Sequence, residues 1–325
     1  MAVKDIGVVI IGRNEGERLI RCLNSVVACA CHIIYVDSGS IDGSVESAGQ
    51  IGAHVVRLDL TQPFSAARAR NEGYSALKSL KRDIRFIQFI DGDCSLAPGW
   101  LETARTFIGE RNDIAIVCGR RRERHPDASI YNYLCDLEWD TPIGEALGCG
   151  GDMLVRAEAF EAVGGFRSSL IAGEEPELCL RLREIGWKIW RLDGEMTEHD
   201  ASMTRFGQWW VRCVRTGYGL ADIYWLHRNS PVNIWRRMLL RVLVWGALLP
   251  VSIGVGALFH PAALLGASVY LVHICRMAIR DGPTSHRPWL RALLLTLSKF
   301  AEFQGLLKLL WRRRKKGVGK LIEYK

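Results

Sequence analysis

Two aspartates flank a glycine at Asp91-Gly92-Asp93, directly after the run Arg85 to Ile90. Carboxylates at i and i+2 around a glycine can share one hard divalent ion and leave positions open for phosphate oxygens. Magnesium or manganese held this way would neutralise a departing diphosphate. Asp and Gly are also common turn residues, so the spacing by itself does not separate a metal site from a turn. His199, within Glu198-His199-Asp200, could complete the same site as a neutral imidazole. A second acidic pair, Glu174-Glu175, stands before Pro176 and a helical pattern through Leu178, Leu180, Leu182 and Ile185. Pro176 suits the first helical position. A carboxylate beside that N-terminus is expected to stay ionised, because the dipole favours the anion, and could take a proton from a hydroxyl.

These groups act together only if the fold carries them to one edge. Gly7 to Gly12 is a short β-branched run with glycine at both ends, and it predicts a buried strand. Helical spacing follows from Glu15 through Leu19, Cys22, Leu23, Val26 and Val27. Further strands are expected at His32 to Val36, Ala53 to Leu58, Arg85 to Ile90, Ile114 to Cys118, Met153 to Val155 and Lys188 to Leu192. Helices are expected after Ser44, over Ala66 to Lys78, and from Pro98 to Ile108. Strands alternating with helices predict an open parallel sheet covered on both faces. Ligands of such sheets sit outside the carboxyl ends of the strands, which is where Asp37 and Asp91/Asp93 fall. No GxGxxG follows the first strand and no GxxxxGK[ST] occurs, so neither a dinucleotide fingerprint nor a P-loop is supported.

The ordered segments VVIIGRNEGERLIRCLNSV, YVDSGSIDGS, AARARNEG, FIDGDC, GCGGDMLVRAEAFEAVGGF and GEEPELCLRLREIGWKI resemble the family 2 glycosyltransferases over about residues 6–200. The resemblance implies a GT-A fold, an open mixed sheet flanked by helices. It also implies a nucleotide-sugar donor, a Mg2+ or Mn2+ cofactor, and inverting displacement at the anomeric carbon. Asn14, Glu15, Asp37, Ser38, Arg70, Asn71 and Asp91 would then lie against the nucleotide. Ser38 stands where the family usually has a second Asp, so the donor base stays open. Asp91, Asp93 and His199 would be the metal group. Gly150, Gly151 and Asp152 would face the acceptor, with Asp152 bonding sugar hydroxyls. Glu175 aligns with the family's base and Glu174 is its neighbour and competitor. Gln208 to Arg212 loosely resembles the QxxRW segment of polymerising relatives, but Cys213 follows Arg212 where they carry Trp.

Charge divides the chain of 325 residues. The net charge is +8, yet residues 1–235 carry 27 Lys and Arg against 32 Asp and Glu, while residues 236–325 carry 16 against 3. The basic residues flank apolar runs, which points to a membrane surface and not to nucleic acid. Val242 to Phe259 is free of charge, and at 1.5 Å per residue its length approaches the roughly 30 Å hydrocarbon core. His260-Pro261 interrupts it, and Ala262 to Cys275 is a second uncharged run. Arginines at both outer ends and none at the tip predict a hairpin with both ends in the cytoplasm. Leu290 to Leu310, with Lys299, Glu302 and Lys308, reads as an interfacial helix leading into the basic cluster Arg312 to Lys316. The expected domains are a catalytic head over 1–235, the hairpin over 236–280, and a helix and basic tail over 281–325. Ile6 to Ile11 is too short for a signal peptide, and ten cysteines without a CxxC read as reduced thiols.

The expectation is therefore a glycosyltransferase at the inner, cytoplasmic membrane of a bacterium, its catalytic domain cytoplasmic. It would take a lipid-linked glycan acceptor in cell-surface polysaccharide synthesis. A rival enzyme reading puts the sugar directly on a polyprenyl phosphate. Readings of a different class are a sugar-nucleotide pyrophosphorylase and an inactive scaffold.

Overall fold

The computed structural model describes residues 3–81, 83–230, 234–282 and 287–315, in two units: Met1–Ser202 and Met203–Val318. The first unit runs β1 (Val3–Gly12), α1 (Glu17–Val27), β2 (Ala30–Asp37), α2 (Ser44–Ile51), β3 (His54–Arg57), α3 (Ala66–Leu80), β4 (Phe86–Asp91), β5 (Cys94–Leu96), α4 (Trp100–Gly109) and β6 (Ile114–Glu123). It continues with α5 (Ile130–Glu138), β7 (Gly144–Ala146), β8 (Met153–Arg156), α6 (Ala157–Ala162), α7 (Glu174–Glu184) and β9 (Lys188–His199).

The strands form one sheet in the order β3-β2-β1-β4-β8-β6-β9-β5, with β7 paired to β9. Side chains of β1 alternate between two cores: Ile6, Val8 and Ile10 enter one, Val9 and Ile11 the other. Each buried side chain of this size stabilises by roughly 1.5–3 kcal/mol, so a one-residue slip would lose packing on both faces. β2 and β4 flank β1 in parallel, with Gly12 opposite Asp37 and Ile11 opposite Asp91. The chain order reverses at β1, and the carboxyl ends of β2 and β4 bring Asp37 and Asp91 to either side of that switch point.

The expectation of a parallel sheet holds only for this half. β8 inserts antiparallel to both β4 and β6, and β5 and β7 run antiparallel to β9. Chain spacing does not fix strand direction once the connections are long, and β8 reaches its slot after the excursion through α5 and β7. The sheet is mixed, as in the GT-A fold.

Several boundaries shift. α4 starts at Trp100 behind Gly99, which has φ 78, so Pro98 precedes the helix instead of opening it. α7 starts at Glu174, because left-handed Gly173 (φ 78) turns the chain two residues earlier than the Pro176 signal implies. Glu174 and Glu175 are thus the first two helical residues. β9 extends beyond Leu192 to His199, where it pairs with β5 and β6, so His199 ends the strand and does not follow it.

The second unit is helical: α8 (Phe206–Leu226), α9 (Ile234–Leu243), α10 (Leu249–Phe259), α11 (Ser268–Asp281) and α12 (Pro288–Arg314). A π turn over Val244–Leu248 joins α9 to α10. It stands just before Pro250, which cannot donate a backbone hydrogen bond to the preceding turn. Among the described residues, two helical runs are long and apolar enough to cross a membrane, Trp235–Phe259 and Pro261–Asp281. Only 11% and 6% of their apolar windows is buried within the protein, unlike the core helices of soluble domains.

The Leu290 to Leu310 segment lies inside α12, which packs on α8. Trp210 Nε1 donates to Gln304 Oε1 at 2.8 Å, Arg313 pairs with Asp222 at 2.7 Å, and Arg312 donates to the Tyr218 hydroxyl. Glu302 is buried and accepts from Lys299 and Ser298 of the same helix; the face toward α8 is a helix–helix seam, while Leu293, Leu307, Leu310 and Trp311 stay exposed. Gln208 closes the start of α8 by accepting from the amides of Thr204 and Arg205, each at 3.0 Å. The basic cluster reaches Lys316, which lies outside the described residues.

Candidate active site

Ser65 caps α3 by accepting from the Arg68 amide, and the first turns of that helix carry Arg70 inward. Arg70 is 2% exposed, so it is no solvated helix residue. Its Nη2 donates to Asp91 Oδ1 at 2.8 Å, and its Nη1 to Glu174 Oε1 and Glu175 Oε1, each at 3.1 Å. One guanidinium therefore gathers the acid at the end of β4 and both acids at the start of α7. Arg121, on β6, brings a second cation: its Nη2 is 3.5 Å from Asp91 Oδ2 and its Nε 3.5 Å from Asp152 Oδ2.

Charge sets the protonation here. Burial would raise the Asp91 carboxyl, but Arg70 and then Arg121 hold it well below its ordinary value. Glu175 moves the other way. Burial, and then the like charge of Glu174, push it up to about 7 despite Arg70. This corrects the expectation that the helix dipole keeps Glu175 ionised: desolvation and a neighbouring carboxylate outweigh a terminus effect of about 0.3–1 kcal/mol. A base with a pKa near neutrality is better matched to taking a proton from a hydroxyl than an ordinary glutamate.

Gly151 backs directly onto this cluster. A Cβ there would lie 2.4 Å from Arg70 Nη2, 3.0 Å from Asp91 Oδ2 and 3.2 Å from Glu175 Oε1. At Gly150 a Cβ would meet only Arg121 Nη1, at 4.0 Å. Asp152 turns inward, against the expectation that it bonds a sugar. It is 1% exposed, and its oxygens accept from the Asp91 amide at 3.0 Å and the Thr197 hydroxyl at 2.7 Å. It pins β8, β9 and the end of β4 together.

Asp93 and His199 meet on the far side of Gly92, with Nε2 3.3 Å from Oδ2. Burial, and then Arg121, lower the His199 pKa, which keeps the imidazole neutral as a metal ligand must be. Among the described residues, two groups have ligand atoms that all lie within 4.8 Å of one another: Asp93, Cys94 and His199, and Asp91, Cys94 and Asp152. Asp91 thus falls in a different group from Asp93 and His199, and its oxygens face two guanidiniums. Cys94 is common to both groups, but burial raises its thiol well above the ordinary value, which leaves the poorly ligating protonated form. Asp93 and His199 therefore fit a divalent cation that would take its other positions from phosphate and water.

The remaining predicted residues line the β1–β2 side. Asn14 takes a left-handed φ of 55, its amide donating to Ser40 Oγ and its Oδ1 accepting from the Ile41 amide, each at 2.9 Å. Asp37 accepts from the amides of Gly39 and Ser40, and the Ser38 amide donates to the Gly12 carbonyl. Both Asn14 and Asp37 thus brace the turn after β2. Glu15 pairs with Arg18 at 2.8 Å and covers Gly92, where a Cβ would meet Glu15 Cγ at 3.3 Å. Asn71 is committed elsewhere, against the expectation of a nucleotide contact. It donates to the Phe166 carbonyl and Ser168 Oγ and accepts from the Phe166 amide, clamping the loop after α6.

Sequence reading missed Arg121 and Glu123, which belong to the Arg-Arg-Arg-Glu run closing β6. The signal lay in alternation along a strand longer than the one expected.

Residues 7–162, just under half of the chain, match the model of Glycosyl transferase family 2. The chain is 25% identical over 238 residues to Glycosyltransferase AglE of Haloferax volcanii, covering 69% of this chain and 76% of that one. It is 28% identical over 271 residues to the Pre-mycofactocin glycosyltransferase of Mycobacterium tuberculosis, covering 78% of this chain but 54% of that one, so it spans about half of that relative's length. A shorter stretch of 132 residues is 32% identical to the Succinoglycan biosynthesis protein ExoA of Rhizobium meliloti, 38% of each chain. The mannosyltransferase PcManGT from Pyrobaculum calidifontis, solved in complex with GDP-Man and Mn2+, superimposes with a TM-score of 0.62 over 95% of this chain and 88% of that one, at 14% identity. That likeness establishes the shared fold.

Proposed function

We propose that this chain, whose residues 7–162 match the model of Glycosyl transferase family 2, moves a hexosyl unit, with inversion, from a nucleotide-diphosphate sugar to a lipid-linked glycan acceptor. The observation that carries the reading is Arg70, which ties Asp91 on the donor side to Glu175, the candidate base, within a single set of hydrogen bonds. A divalent ion, when bound, would supply positive charge against the departing diphosphate. Asp93 and His199 would hold it. Glu175 takes the proton of the attacking hydroxyl as the acceptor oxygen bonds to the anomeric carbon on the face opposite the diphosphate. Arg70 keeps Glu175 oriented, and Gly151 leaves room for that contact.

A lipid acceptor is supported by the second unit. Leu258, Phe259 and Leu265 are 83%, 85% and 74% exposed on helices long enough to span a bilayer, and apolar surface of this kind marks a membrane or partner contact. Arginines at 236, 237, 241, 276 and 280 flank the pair, which favours cytoplasmic ends at the inner membrane. An enzyme tethered to the bilayer that carries its acceptor searches a surface instead of a volume.

Product analysis tests the assignment. Full-length protein in detergent is given radiolabelled nucleotide sugars and a bacterial lipid extract. Label in the lipid fraction, in a glycosidic bond of inverted configuration, supports the reading. Label released by mild acid with a single phosphate would instead mark direct transfer to polyprenyl phosphate, and no transfer from any donor would reject the assignment.

A further inference from the structure

Glu123 has no place in the chemistry above, yet it is among the most buried acids of the first unit. It ends β6 directly opposite His199 at the end of β9. Its side chain is fully enclosed, with Oε2 accepting from the Ala201 amide at 3.0 Å and lying 3.4 Å from His199 Nδ1. Oε1 accepts from the His125 amide at 3.2 Å and from Asn132 Nδ2 at 3.1 Å. Trp139 closes the other side of the imidazole, its ring edge-on at 4.7 Å between centroids.

The imidazole thus lies between two carboxylates: Glu123, held in place by three other donors, faces Nδ1, and Asp93 Oδ2 lies 3.3 Å from Nε2. With Glu123 accepting the Nδ1 proton, Nε2 is left to a cation shared with Asp93. An outer carboxylate on the far nitrogen of an imidazole is the usual device for orienting a metal-bound histidine and raising its basicity.

We propose that Glu123 is the positioning residue that holds His199, through Nδ1, for a divalent cation shared with Asp93. This rests on the reading of Asp93 and His199 as cation ligands given above. Glu123 touches neither donor nor acceptor. It acts through His199 alone, and its loss weakens the cation site without removing a ligand.

The test is Mn2+ binding by full-length protein in detergent without a sugar donor, followed by the electron paramagnetic resonance signal of free Mn2+. Wild type should bind. Glu123→Gln should raise the dissociation constant by about 10–100-fold. In a His199→Ala background the same substitution should add no more than about 2-fold, because the residue through which it acts is gone. Full extra weakening there would show a general structural effect and overturn the proposal, as would wild-type affinity in folded Glu123→Gln. Should that variant fail to fold, Glu123→Asp keeps the charge but withdraws the carboxylate, and affinity equal to wild type would overturn the proposal equally. Absence of Mn2+ binding by wild type would instead remove the cation reading itself.

Discussion

A Cβ at Gly151 would lie 2.4 Å from Arg70 Nη2, so position 151 can carry no side chain while Arg70 keeps its place. That nitrogen is the one bonded to Asp91 at 2.8 Å. Arg70 is buried and bonded to three carboxylates. The close approach of Gly151 therefore sets the position of the group that links Asp91 to Glu175.

Gly151→Ala should displace Arg70 and the three acids it holds. A misplacement of about 1 Å in such a constellation costs on the order of 10²-fold in rate, while overpacking costs about 1–3 kcal/mol of stability. Steady-state kcat/KM and a thermal melt on the same preparation check this. Wild-type kcat/KM in the alanine variant would show that Arg70 does not constrain the reaction.

The raised pKa of Glu175 predicts an acid limb. Activity that needs the ionised form should fall below about pH 7. Glu174→Gln removes the like charge, lowers the Glu175 pKa and should move the limb in kcat/KM to lower pH. The same shift bears on stability. The fold holds this proton more tightly than the unfolded chain does, so the Glu175 contribution falls as pH rises from 4.5 toward about 7. A limb unmoved by Glu174→Gln would mean that the titrating group is not Glu175.

Metal removal is the third prediction. Asp93→Asn keeps the shape but loses the charge that faces His199, and it should abolish transfer. Excess chelator should do the same, reversibly on adding Mn2+. Full activity in chelator would transfer leaving-group stabilisation to Arg70 and Arg121.

Much of the site could be read from the chain because apolar strands end abruptly at it. The run before Asp91 and the run before Asp37 each stop at a carboxylate, and the parallel half of the sheet follows from the alternation around them. Arg70 was harder to place: a helical position gives its face only after the acids opposite are known, and Glu174 and Glu175 lie 104 and 105 residues away. Arg121 and Glu123 lie beyond the strand expected to end at Cys118, and the pairing of β6 with a β9 that extends to His199 buries what alternation leaves ambiguous. Asp152 carried the right residue type beside the right glycines, and the register of β8 turned it inward. The state of Glu175 depends on burial and on Glu174 together, neither of which spacing reports.

The membrane reading predicts extraction behaviour. Two apolar helices spanning a bilayer should keep full-length protein in the membrane fraction through high-salt washes and release it only with detergent. Release by salt alone would leave basic surface charge as the anchor, since salt screens such attraction and not hydrophobic insertion.

The central claim is that Glu175 removes the acceptor proton during transfer from a nucleotide sugar. Glu175→Gln keeps the shape but cannot take that proton, and Glu174→Gln tests its neighbour. The decisive measurement is kcat for transfer by the two variants, with donor affinity determined in parallel. We expect Glu175→Gln to lower kcat by about 10²–10⁴-fold with donor affinity little changed, and Glu174→Gln to be the milder variant. A reversed order would make Glu174 the base, and less than a tenfold loss in both would contradict general-base catalysis from the start of α7.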